Sequence, residues 1–130
     1  MSIEDGDLAM HLNFDVTAIS MFEYCILNVK EQAKVNISNN INKSNRTIIL
    51  LRHHSFLEVN GITNIDNNHA HGSICYVVLY SGLTFSGNAS FVSNVNSRTG
   101  NIRGSVIQIG YNSFLHTNAT VTFENNTGCN

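Results

Sequence analysis

Proline and tryptophan are absent from this chain of 130 residues, and charged side chains make up only 12% of it. Seven Lys and Arg stand against nine Asp and Glu, a formal net charge of −2. With so few cations, and no cluster beyond Arg98 to Arg103, the chain offers no electrostatic footprint for nucleic acid. Long hydrophobic runs are missing too. The longest, "TIILL" and "ICYVVLY", fall far short of the ~20 residues that a membrane-spanning helix requires, so no transmembrane helix is expected. The N-terminus "MSIEDGDLAMHLNF" has no basic start followed by an apolar stretch, which leaves no secretory leader within these residues. Either the protein is intracellular or the chain is a piece of something longer. Disorder is also excluded for most of the length, because disordered chains pair low hydrophobicity with high net charge, whereas 42% of these residues are hydrophobic and they are spread throughout.

What the chain does have is asparagine, 20 residues of it, and an internal repeat. A gapless register of 22 residues aligns "TIILLRHHSFLEVNGITNIDNN" (47–68), "SICYVVLYSGLTFSGNASFVSN" (73–94) and "SVIQIGYNSFLHTNATVTFENN" (105–126). Position one is Thr47, Ser73 or Ser105, position nine is Ser55, Ser81 or Ser113, and position eleven is Leu57, Leu83 or Leu115. Position nineteen is Ile65, Phe91 or Phe123, and position twenty-two is Asn68, Asn94 or Asn126. A weaker copy over 19–40 places Val29 at position eleven, Ile37 at nineteen and Asn40 at twenty-two. Spacers of variable length, rich in Asn, Ser, Gly and His, mark a loop on one face.

Each copy reads as three short runs of strand formers with period two, broken by Ser, Gly and Asn. Three strands per repeat of about 26 residues is the arithmetic of a right-handed parallel β-helix, an all-β solenoid whose coils pair with one another about 4.8 Å apart. Four to five rungs are expected. Residues 1–18 would form an N-terminal partial rung or cap, and 19–130 the repeats. Stacking turns the recurrences into columns: Leu57, Leu83 and Leu115 in one, Ile65, Phe91 and Phe123 in another. Asn40, Asn68, Asn94 and Asn126 become an amide ladder. The last copy ends where another would begin, so the chain is expected to be a fragment of a longer solenoid.

The Gly-Ser-Ile and Gly-Ser-Val that open copies (Gly72 to Ile74, Gly104 to Val106), with Phe-x-x-Asn closing them (Phe91 to Asn94, Phe123 to Asn126), resemble the chlamydial-type polymorphic outer membrane protein repeat. That family pairs Gly-Gly-Ala-Ile, -Leu or -Val with Phe-x-x-Asn. Here Ser replaces the second Gly, Ala is absent, and the earlier copies carry Ile for Phe. The resemblance covers 72–126 well and 47–71 loosely. It implies a β-helical adhesin or structural stalk displayed at a cell surface, with a surface protein or glycan as partner.

Chemistry is harder to find. Polysaccharide lyases and hydrolases built on β-helices need clustered carboxylates. Here Asp15, Glu58, Asp66 and Glu124 fall at scattered register positions, with Asp66 and Glu124 two rungs apart and Val92 between them. A degenerate carbohydrate-active β-helix, or a fragment without activity of its own, is the alternative to a non-enzymatic adhesive or structural segment. His53 and His54 occupy positions seven and eight, and His69 and His71 the spacer, so they belong to different corners and read as turn residues rather than metal ligands. No cofactor is expected. Tyr76, Tyr80 and Tyr111, with Phe114, are candidates for an aromatic stripe contacting carbohydrate or protein, against a reading as core or lateral stacking. Asn-x-Ser/Thr sequons at Asn36, Asn42, Asn45, Asn88, Asn118 and Asn125 point toward a secreted or cell-surface setting. Cys25 and Cys75 lie about two rungs apart, too far for a disulfide, and are expected to be buried thiols, with Cys129 terminal.

Overall fold

Runs of β-branched and apolar residues alternate with tight corners throughout the computed structural model, which describes residues 2–3, 7–11, 17–43, 47–97 and 106–128. Every described element is a strand and every pairing is parallel. β1 (Ser2–Ile3) and β2 (Asp7–His11) precede the first coil, which holds β3 (Ile19–Met21), β4 (Ile26–Val29), β5 (Lys34–Ser38) and β6 (Ile41–Asn42). The second holds β7 (Ile49–Leu51), β8 (Phe56–Val59), β9 (Ile62–Asp66) and β10 (His69–Ala70). The third holds β11 (Cys75–Val77), β12 (Gly82–Phe85), β13 (Ala89–Val92) and β14 (Val95–Asn96). The fourth holds β15 (Ile107–Ile109), β16 (Phe114–Thr117), β17 (Val121–Glu124) and β18 (Thr127–Gly128).

Equivalent strands stack into sheets four or five strands deep, in the orders β3-β7-β11-β15, β1-β4-β8-β12-β16, β2-β5-β9-β13-β17 and β6-β10-β14-β18. Successive members of a sheet are separated by one turn of the chain, so from the first coil to the fourth the chain makes about three turns of a parallel β-solenoid, slightly fewer than the four to five rungs expected. Each coil has a fourth strand of two residues beyond the three expected. Those pairs, such as His69–Ala70, are too short to show any alternation and so read as spacer in the sequence.

The 22-residue register is realised residue for residue. Leu57 pairs with Leu83 and Leu83 with Leu115, while Ile65 pairs with Phe91 and Phe91 with Phe123. Leu57, Ile65, Leu83 and Phe91 are buried, and Phe85 meets Phe91 edge-on at 5.9 Å. Phe123 stacks on Phe91 at 5.1 Å but is half-exposed on the last described coil, as is Leu115.

The first coil departs from its expected alignment at one column. Leu27, not Val29, faces Leu57, and Val29 faces Val59. Ile37 faces Ile65 as expected. The corner over 30–33 is two residues longer than its counterpart at 60–61, which shifts the first half of that coil against a rigid 22-residue frame. Asn60-Gly61 is itself a dipeptide that signals a two-residue hairpin. Here it is an open corner between parallel strands: Asn60 N donates to Val29 O at 2.8 Å on the coil before.

Candidate functional site

The asparagine column is hydrogen-bonded from coil to coil. Asn68 Nδ2 donates to Asn94 Oδ1 at 3.0 Å and Asn94 Nδ2 to Asn126 Oδ1 at 3.0 Å, while Asn40 Nδ2 donates to Asn68 Oδ1 at 2.9 Å. The same carbonyls accept the backbone N–H of the preceding asparagine. The second amide hydrogen turns back to a main-chain carbonyl one coil earlier: Asn68 to Ile37 O at 2.8 Å, Asn94 to Ile65 O at 2.7 Å and Asn126 to Phe91 O at 2.7 Å. Burial without loss of bonds is what makes such a column stabilising. The residue before each ladder member is left-handed, at Asn39, Asn67, Ser93 and Asn125, and this bend swings the asparagine inward. Position nine makes a second column, in which Ser55 N donates to Ser81 Oγ and Ser81 N to Ser113 Oγ, each at 3.1 Å.

A second corner carries paired left-handed residues: Glu23 and Tyr24, His53 and His54, Leu79 and Tyr80, Tyr111 and Asn112. Such backbone is unfavourable for non-glycine residues, and main-chain bonds between coils hold it, as where His54 N donates to Leu79 O at 3.0 Å. The rings of Tyr24, His54 and Tyr80 stack at 5.0 and 5.1 Å, tilted by only 3° and 5°. His54 is covered on both faces, while the flanking Tyr24 and Tyr80 are 75% and 52% exposed. The four residues expected as one stripe are dispersed. Tyr80 and Tyr111 lie at this corner, whereas Tyr76 sits on the outer face of β11 and Phe114 on β16, where it lies across Gly82 to reach Phe56 at 6.1 Å.

His69 on β10 and His71 beyond it occupy another corner, with His71 Nδ1 3.4 Å from Ser97 Oγ. No group of three or more His, Cys, Asp or Glu able to hold a metal ion occurs among the described residues. Glu58 projects from β8 and accepts Asn28 Nδ2 at 2.9 Å; Asp66 projects from β9, on a different sheet, and accepts Asn67 Nδ2 at 3.1 Å. Val92 pairs with both Asp66 and Glu124 and keeps those two carboxylates apart. Asp15, Asn45, Ser105 and Cys129 lie outside the described residues.

The two thiols among the described residues are free, and one expectation is corrected. Cys25 is exposed, not buried: it takes the place of the buried Ser55 and Ser81 but on the first coil, at the end of the stack, and its Sγ bonds Phe22 O as Ser55 Oγ bonds Arg52 O. Cys75 is buried between Ile49 and Ile107, and burial pushes its thiol pKa far up. Among the sequons, Asn88, Asn118 and Asn125 are exposed, Asn36 is half-buried and accepts Asn64 Nδ2 at 2.9 Å, and Asn42 is fully buried.

Two of the concavities on the outer faces lie over three stacked strands each. One of about 410 Å³ lies over β5, β9 and β13, with Asn36, Asn64, Asp66 and Ser90 in its lining. The other, about 500 Å³, lies over β3, β7 and β11 and is lined by Phe22, Leu50, Arg52 and Tyr76 among others. Sequence reasoning missed Phe22, Leu50 and Arg52, whose only signal is that they interrupt the repeat. The fold defines the class, a parallel β-solenoid. No protein-family model matches the chain, and no curated protein or solved structure matches it either. No helix among the described residues is long and apolar enough to cross a membrane.

Proposed function

We propose that the chain is a non-enzymatic segment of a surface or secreted protein, with an adhesive or structural role. The observation that carries this reading is where the repeated chemistry lies. The side chains that recur from coil to coil, the asparagine and serine columns and the leucine stack, serve stacking and corners. The outward carboxylates do not converge: Glu58 and Asp66 stand on different sheets, and Val92 separates Asp66 from Glu124 in the column they share. Paired carboxylates are what polysaccharide cleavage needs, so the carbohydrate-active alternative has less support. The resemblance to polymorphic outer membrane protein repeats favours display at a surface, and the exposed sequon asparagines Asn88, Asn118 and Asn125 are compatible with it. A fold by itself does not imply an activity; the test is therefore direct. Purified protein is expected to bind cells or extracellular matrix, or to behave as an elongated spacer, and to release no product from a panel of polysaccharides. Measurable cleavage would overturn the reading.

A further inference from the structure

The outer face of the β3-β7-β11-β15 sheet holds two polar atoms without partners. Thr47 is 8% exposed, and its Oγ1 is buried with no hydrogen-bond partner; Arg52 Nε is in the same state. Both residues line the cavity of about 500 Å³, together with Thr17, Ser20, Phe22, Leu50 and Tyr76. Buried polar atoms are nearly always paired in folded proteins, so two orphans at one cavity call for an explanation.

The coil that follows shows how the first orphan arises. Ser73, one coil on from Thr47, donates its hydroxyl to Gln108 Oε1 at 2.8 Å. Tyr76 pairs with Gln108 and stands in its place before Thr47, and its phenol oxygen makes no hydrogen bond with Thr47 Oγ1. Arg52 replaces the apolar Val78 and Gly110 of the later coils. Its guanidinium carbon lies 5.7 Å from the Phe22 ring centre, and it forms no ion pair among the described residues. Both departures from the repeat thus add an unanswered donor at the same cavity.

We propose that this cavity binds a single sugar unit bearing a carboxylate. Arg52 meets the carboxylate, with its Nε–H and a terminal N–H forming the fork that suits two oxygens. The hydroxyls of Thr17, Ser20 and Thr47 face ring oxygens, and Phe22, Leu50 and Tyr76 give the apolar face of the ring a floor. Among the described residues lining the cavity Arg52 is the one cation, which matches one negative charge. The volume falls within the range of about 300–1,000 Å³ usual for small-molecule sites. A rotamer step at Thr47 or Arg52 turns each donor into the cavity when an acceptor enters. The site gives the adhesive reading a ligand, and rests on that reading for where such a ligand is met.

Titration of the purified chain with glucuronate, glucose and cyclohexanecarboxylate, followed by amide NMR shifts, tests it. Glucuronate is expected to saturate and to move the resonances of Ser20, Leu50 and Tyr76, with glucose and cyclohexanecarboxylate each weaker by about tenfold or more. Arg52→Gln is expected to weaken glucuronate by about tenfold or more. Thr47→Val is expected to weaken it severalfold without lowering the melting temperature, since no existing bond is broken. Equal binding of the three compounds, shifts confined to another face, or no saturable binding would overturn the assignment. So would a Thr47→Val protein that melts earlier and binds unchanged, because the hydroxyl would then be structural. Cell adhesion measured separately remains a test of the adhesive reading alone.

Discussion

Asn94 shows how a residue that looks inert in the sequence carries the fold. Its side chain donates to Ile65 O and Asn126 Oδ1 and accepts from the backbone and amide of Asn68. Asn94→Ala leaves those buried groups unpaired and is expected to lower stability by about 1–3 kcal/mol, read as a shift in the urea midpoint. The exposed Asn118, whose backbone is not left-handed, is expected on change to Ala to move it by less than about 0.5 kcal/mol, as for an ordinary surface position. The thiols give a second contrast. Alkylation of the native protein should label Cys25 promptly and Cys75 only after unfolding, as a peptide map would show. Burial disfavours the Cys75 thiolate, so above the ordinary thiol pKa of about 9.0 the unfolded chain sheds that proton first. Stability is therefore full below that pH and falls as pH rises past it, and Cys75→Ala should flatten the decline. The ladder asparagines were legible because they recur. The exposure of Cys25 was not, since it depends on which coil lies outermost.

Corners, more than strands, decide how the elements sit. A Cβ on Gly87 would lie 2.1 Å from Gly61 O and 2.5 Å from Asn60 O, both main-chain atoms of the coil before. That corner uses glycine for close approach of backbone to backbone. The left-handed positions instead fall to Asn, His, Tyr, Leu, Glu and Ser. Gly87→Ala is expected to cost about 1–3 kcal/mol, occasionally more. Gly110→Ala meets only Val78 Cγ2 at 3.9 Å and should be near neutral; thermal melts of the two variants compare them directly. Strand positions with a two-residue alternation, such as Leu57 and Val59, could be read from the chain. The two-residue strands could not, and neither could the place of Leu27, because a corner two residues longer before β5 shifts the column without changing any strand's pattern. Asn60-Gly61 carries a hairpin signal that the stacking of neighbouring coils overrides.

Across the whole molecule, a solenoid writes its constraint into every coil, and a constraint imposed repeatedly becomes visible as a period. That is why the architecture was legible and the candidate site was not. The cavity depends on single departures from the repeat, Arg52 and Tyr76, and one chain cannot distinguish a meaningful departure from drift. The solenoid stands on coils stacked in one register, with Glu58 on β8 opposite Thr84 on β12. Neighbouring strands lie about 4.8 Å apart, which is within the span a disulfide bridges. The direct measurement is intramolecular cross-linking of Glu58→Cys with Thr84→Cys, in a background carrying Cys25→Ser, Cys75→Ala and Cys129→Ser, followed by mass spectrometry under mild oxidation. The stacked register predicts that this pair closes within one chain and that Glu58→Cys with Ser90→Cys, on another sheet, does not. Closure of the second pair instead of the first, or of neither, would contradict it.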